Sequence, residues 1–204
     1  MTNTDQAAQA EISNNQEEAA RADMYGFLAG LYFRAPQAAL LNAIADSATQ
    51  ADSLLGEAWS MLADACRDMN ATKIQEEFDK LFIGVGKPEI LLYGSYYLSG
   101  FLMEKPLAEL RNDLASLGLE RPEHIAESED HISCLFEVMR ILIADESEGG
   151  TLSKQKQFYA SHIHPWIDEM CAAIMNHPNA HFYKNVANLT KCFAEVESQA
   201  FEMN

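Results

Sequence analysis

Along this chain, hydrophobic residues recur at intervals of three and four, the repeat that gathers apolar side chains on one face of an α-helix. Met24, Phe27, Leu28, Leu31 and Tyr32 make the first such stripe. Ser13 with Gln16 has capping-box spacing, so the first helix is expected to begin near Ser13 and to stop before Pro36. Pro36 can open a second helix carrying Leu40, Leu41 and Ile44. A third is predicted from about Leu54 to Met69 with Ala58, Met61, Leu62 and Ala65 inward. The fourth starts at Thr72, with Gln75 as its capping partner, places Ile74, Phe78, Leu81 and Phe82 on one face, and ends at Gly84.

Beyond a glycine-rich loop, "YYLSGFLM" reads as a short buried helix, with a strand left open over so few residues. Pro106 begins a helix with Leu107, Leu110, Leu114 and Leu117 inward, closed by Gly118. "LERPEHIAES" is a loop, and Ser128 is the expected N-cap of a helix striped by Ile132, Leu135, Phe136, Met139 and Ile143. Phe158, Tyr159, His162 and Ile163 lead into Trp166, Ile167, Met170 and Ile174, with Pro165 a kink or a restart. A turn at "NHPNAH" precedes a last helix burying Phe182, Val186, Leu189, Phe193 and Val196. No run alternates apolar and polar residues as a half-buried strand does, so the fold class is all-α.

Charge narrows the partners. The 204 residues carry 14 Lys and Arg against 31 Asp and Glu, a formal charge of −17, which repels nucleic acid and anionic lipid and attracts basic partners. Acidity of this kind also keeps a protein in solution. Cys66, Cys134, Cys171 and Cys192 are scattered, without the Cys-x-x-Cys spacing of a zinc or redox site. The opening "MTNTDQAAQAEISNNQEEAA" lacks the basic start and apolar run of a secretory signal, and no apolar stretch is long enough to span a bilayer. A cytoplasmic protein with free thiols and no membrane insertion is expected.

Candidate chemistry gathers in two places. "FIGVGKPEILLYGSYY" contains a Gly-x-Gly-Lys run, but the position five before the Gly-Lys pair is Leu81, Pro88 follows Lys87, and a helix rather than a strand leads in. A phosphate loop needs a glycine, a Ser or Thr and a strand at those places. In "SEDH", Glu129 and Asp130 would occupy a first helical turn behind Ser128, where negative charge suits the helix dipole. His131 adds an ionisable ring, so the block reads either as a capping feature or as a recognition or catalytic site. No Gly-x-Ser-x-Gly setting supplies a nucleophile, which argues against an enzyme. His162 and His164 fall on different helix faces, and His177 with His181 flank a proline turn, so no metal and no cofactor is expected. Tyr93, Tyr96 and Tyr97, with Phe78, Leu81 and Phe82 before them, are either core packing or an aromatic cleft for a peptide.

Three segments together resemble the TorD/DmsD family of cytoplasmic chaperones for redox enzymes exported by the twin-arginine route: "FDKLFIGVGKPEILLYGSYYLSGFLM", "SEDHISCLFEVM", and "FYASHIHPWIDEM" with "HFYKNVANLT" behind it. The likeness runs from about Met24 to the C-terminus. It implies a multi-helix bundle of two helical lobes joined by a hinge loop. The boundaries that follow are a disordered polar stretch over 1–12, an N-terminal lobe over 13–120 with the Gly/Tyr-rich loop, a hinge over 121–128 and a C-terminal lobe over 129–204. It also implies a non-enzymatic chaperone that binds the twin-arginine signal peptide and the body of an apo-molybdoenzyme, aids cofactor insertion and delays export. Carried over by position, the peptide-binding residues are Phe78, Leu81, Phe82, Tyr93, Ser95 and Tyr97, with Asp130 and His131 as polar members. The family often has tryptophan where this chain has Phe78, Tyr93 and Tyr97, proline where it has Val85, and Glu or Pro where it has Ser128. A guanine-nucleotide site, known in some relatives, has no support of its own in these residues. A helical enzyme or nucleotide-dependent switch using Asp130 and His131 is the alternative reading, and a structural helical module without a peptide site is a third. A monomer and a lobe-exchanged homodimer are both compatible with the hinge.

Overall fold

The computed structural model describes residues 3–47, 52–122, 124–144 and 152–203, with side chains described from residue 15 onward. Among the described residues ten α-helices follow one another: α1 (Asn3–Phe33), α2 (Ala38–Ala45), α3 (Leu54–Asp68), α4 (Ala71–Phe78), α5 (Gly94–Ser99), α6 (Lys105–Ser116), α7 (Ile132–Ala144), α8 (Leu152–His162), α9 (His164–Met175) and α10 (Tyr183–Met203). No strand occurs among the described residues, so the all-α class holds. The only β-type pairing among them is a single antiparallel bridge between Tyr93 and His131.

α1 lies along α7, and α10 packs against α9, α3 and α1. The predicted stripes form the interior: Leu28, Leu31 and Tyr32 of α1, Leu135, Phe136 and Met139 of α7, and Val186 and Leu189 of α10 are all buried. Tyr25 meets Phe136 and Phe193 edge-on at 5.6 and 4.8 Å between ring centres, the geometry that aromatic quadrupoles favour. The same interface holds a polar network. Arg21 forks onto Glu197 with two bonds of 2.7 Å, and Tyr25 donates to the same carboxylate at 2.9 Å. Glu197 is thus buried with its charge matched, as a carboxylate in an apolar interior must be.

Several helix boundaries depart from the sequence expectation, each for a local reason. α1 starts at Asn3, well before Ser13, because the Ala-, Gln- and Glu-rich stretch between has high helix propensity and no Gly or Pro to stop it. Asn70, not Thr72, caps α4 by accepting the Lys73 amide at 3.0 Å, and Gln75 instead donates to Asp79. Met61 and Val196, expected inward, are about half exposed at 50% and 47%, and Leu40 also faces out, because α3, α10 and α2 each bury a narrower stripe than predicted. Pro165 restarts rather than kinks: α8 ends at His162 and α9 begins with the proline in its first turn.

Past Phe78, α4 widens into a π turn over Asp79–Ile83, closed by the Gly84 amide on the Asp79 carbonyl at 2.7 Å. The wider turn carries Leu81 into the core and sets Phe82 edge-on to Tyr183 at 4.9 Å. Gly84 ends it with φ 67°, and a Cβ there would lie 2.2 Å from the Lys87 carbonyl oxygen, so only glycine can make this exit.

Glu77 fixes this corner to α10. Its carboxylate accepts the amides of His181, Phe182 and Tyr183 at 2.9, 3.0 and 2.8 Å, the unpaired donors at the start of that helix. Replacing Glu77 with Ala strands three amides and is expected to destabilise the protein by about 3 kcal/mol in urea unfolding, with Glu77→Gln recovering part of the loss.

Candidate functional site

The two chemically distinctive blocks of the sequence meet at the Tyr93–His131 bridge. The Gly94 amide donates to the Asp130 carbonyl and the Ile132 amide to the Leu92 carbonyl, both at 2.9 Å. These bonds flank Tyr93 and His131 as a pair with no hydrogen bond of its own, the kind that brings opposed side chains closest. Their rings accordingly meet edge-on, 5.0 Å apart.

Asp130 does more than pass through. Its carboxylate accepts the Ser95 amide at 2.9 Å and the Ser128 hydroxyl at 2.5 Å. It therefore caps α5, a helix distant in sequence, and Ser128 orients that carboxylate instead of capping α7 as the sequence suggested. The cap of α7 is His131, whose Nδ1 accepts the Ser133 amide at 3.2 Å while the Leu135 amide bonds its carbonyl at 3.1 Å. Glu129 stays outside α7 and pairs with Arg111 at 2.8 Å and Arg121 at 3.5 Å. The Tyr93 hydroxyl donates to Glu127, closing the loop over the bridge.

α5 is seated on the opposite side by Trp166. A Cβ on Gly94 would fall 3.1–3.3 Å from the indole, so glycine permits the close approach. Tyr97 stacks on the same indole at 5.3 Å with planes 17° apart, and its hydroxyl donates to the Leu91 carbonyl. The Trp166 Nε1–H donates to the His162 carbonyl at 2.7 Å, and His162 Nε2 lies 2.7 Å from Asp113.

Ser95, Asp130, His131 and Tyr93 thus stand together, with Tyr97 one helical turn along α5. Phe78 and Phe82 form a separate group with Tyr183, and Leu81 is fully buried. Of the eight residues expected to line a groove, Phe82, Tyr93 and Tyr97 are only part-buried, and the other five are interior. None of the eight lines the cavity of about 450 Å³ between α1, α6 and α7.

What α5 and the loop after it present to solvent is apolar. Tyr96, Leu98, Phe101, Leu102 and Met103 are all exposed, Phe101 at 70% and Met103 at 78%. The sequence hid this edge, because a run of consecutive apolar residues reads as buried. Met103 adopts φ 61°, and its amide donates to the Ser95 hydroxyl at 3.2 Å, so the residue capped by Asp130 also pins the exposed loop.

Residues 48–172 match the family model described as nitrate reductase delta subunit, more than half of the chain. The chain belongs to this family, the TorD/DmsD group of chaperones. It is similar to the chaperone protein TorD of Vibrio parahaemolyticus, 26% identical over 156 residues that cover 72% of this chain and 71% of that one. It is also similar to the TorD of Vibrio cholerae, 22% identical over 204 residues covering 89% and 92%. A third relative, TorD of Vibrio atlanticus, is 23% identical over 136 residues, 62% of this chain and 63% of its own. The protein is a chaperone and not an enzyme.

Burial holds His131 neutral, lowering its pKa from 6.5 to about 4 against the opposing pull of Glu127 and Asp130. The unfolded chain takes up this proton near pH 6.5, whereas the folded chain resists until about pH 4, so stability is full above that window and falls as pH drops through it. By pH 5 this one group is expected to cost about 2 kcal/mol, and His131→Asn should flatten that part of the pH–stability curve in denaturant titrations. Removing the carboxylate in Asp130→Ala is expected to cost about 3 kcal/mol and to release the Ser95 amide to solvent exchange, with Asp130→Asn between the two.

Proposed function

We propose that the protein is a maturation chaperone that holds the apo form and the twin-arginine signal peptide of a molybdenum-cofactor oxidoreductase until the cofactor is in place. The client belongs to the redox-enzyme class that the family's description names, and the work is done in the cytoplasm, before export. One observation carries the reading: an acidic protein of net charge −17 exposes five large apolar side chains, Tyr96, Leu98, Phe101, Leu102 and Met103, along one short segment. Exposed apolar surface of this kind, set on a rigid support, marks an interaction site.

The division of labour runs through the same residues. Tyr93 and Tyr97 stand behind the edge and supply amphipathic contact area. Ser95, Asp130 and His131 hold the edge in place, and Phe78, Leu81 and Phe82 shape the adjoining core. No helix among the described residues is long and apolar enough to cross a membrane. A twin-arginine signal joins a basic segment to an apolar one, so its receptor needs carboxylates beside apolar surface, and −17 supplies the long-range attraction.

Isothermal titration of the full chain with a synthetic twin-arginine peptide tests this. Binding is expected, weakening as salt is raised because screening shortens the reach of surface charge to about 8 Å at physiological ionic strength. A peptide with both arginines replaced by glutamate is expected not to bind. Absence of binding by the arginine peptide, or equal binding of the two, contradicts the reading. Phe101→Ser with Met103→Ser, both on the surface, should leave folding intact and weaken capture of an apo-reductase.

A further inference from the structure

Among the described residues, the backbone turns left-handed at Gly84, Gly86, Gly100 and Gly118, and at one residue that is not glycine, Met103, with φ 61°. A Cβ makes that conformation unfavourable, which is the ordinary reason for a glycine there. At Gly86, Gly100 and Gly118 nothing lies within 4 Å of where a Cβ would stand, so conformation alone accounts for glycine at those turns. Met103 departs from the pattern. Packing does not explain the departure, because the residue is 78% exposed.

A strained backbone persists only where its surroundings hold it. Ser95 is the holder here. It is buried, its amide donates to the Asp130 carboxylate at 2.9 Å, and its hydroxyl accepts the Met103 amide at 3.2 Å. One turn along α5, the Ser99 hydroxyl reaches the Ser95 carbonyl at 2.7 Å and the Phe101 carbonyl at 3.2 Å. Two serines of the same short helix therefore tie the loop at the residues whose apolar side chains stand furthest out of it, Phe101 and Met103.

We infer that Met103 is the anchor by which the α5 edge holds the client, and that Ser95 is the positioning residue that keeps Met103 turned out. The inference rests on the client reading given above and adds to it the side chain that makes the contact and the bond that presents it. The occupant is an apolar stretch of the client's body with neutral or basic neighbours. Charge selects it: a second copy of this chain brings its own −17 and an anionic lipid surface is repelled, whereas a segment free of acids is not. A thioether on an unbranched stem fits aliphatic and aromatic partners alike, which suits a polypeptide surface that has not yet closed over its cofactor.

The test titrates the full chain with a molybdoenzyme reductase produced without its cofactor. Met103→Gly removes the side chain and relieves the left-handed backbone, so the variant is expected to melt at the temperature of the parent or slightly above it. It should bind the apo-reductase about tenfold more weakly. Ser95→Ala should weaken binding in the parent and have no further effect in a Met103→Gly background, whereas a general loss of support for α5 would weaken both. If Met103→Gly binds as tightly as the parent while Phe101→Ser with Met103→Ser binds weakly, the inference is overturned and the client reading stands. Equal losses from Ser95→Ala in the two backgrounds overturn the role given to Ser95. A parent that elutes as a dimer on size exclusion, with Met103→Gly a monomer, makes a second copy the occupant and also overturns the inference. If the apo-reductase does not bind the parent, or binds the double serine variant equally well, the client reading of this edge fails and the inference with it.

Discussion

One buried carboxylate organises the junction between α5 and the start of α7. Asp130 accepts the first free amide of α5 and the Ser128 hydroxyl, while its own backbone pairs with Gly94. A charge in the interior is costly unless its lone pairs are filled, and here they are filled by groups that would otherwise be orphaned at a helix start. The exchange joins two regions far apart in sequence, and α5, the loop after it and the start of α7 take their positions from it. Six residues are too few to stand alone as a helix in water, so α5 exists because this junction and Trp166 hold it.

That support explains how a short apolar segment can stay exposed. Left loose, Tyr96 to Met103 would fold back onto apolar surface and disappear. Its start is capped by Asp130, its middle stacks on Trp166 through Tyr97, and its end is pinned where the Met103 amide meets the Ser95 hydroxyl. On the other side of the same segment, Ser133 and Cys134 form a wall of the α1–α6–α7 cavity. A change at one face of α7 therefore has a short covalent path to the other.

Periodicity made most of the helices legible, because buried stripes at three- and four-residue spacing have one good explanation. The Phe27–Tyr32 and Ile132–Ile143 stripes face one another as α1 and α7, and the blocks "LLYGSYY" and "SEDH" meet at the Tyr93–His131 bridge. Their roles were not legible. Ser128, Glu129 and Asp130 look like the first turn of a helix, and only the three-dimensional pairing of Tyr93 with His131 shows that Asp130 caps a different one. A one-residue bridge leaves no alternating pattern to read. Nor does composition distinguish an apolar run that is buried from one that is held out, which is why the α5 edge was hidden.

The most direct measurement is amide hydrogen exchange at Ser95 and Ile132 in the free protein. If the Asp130 junction is the rigid support described, both amides exchange only through large-scale unfolding, as slowly as those in the middle of α7 and α10. Exchange at the rate of an open loop, with the core helices still protected, would mean that the junction forms no fixed platform and that the exposed edge is not held for a client.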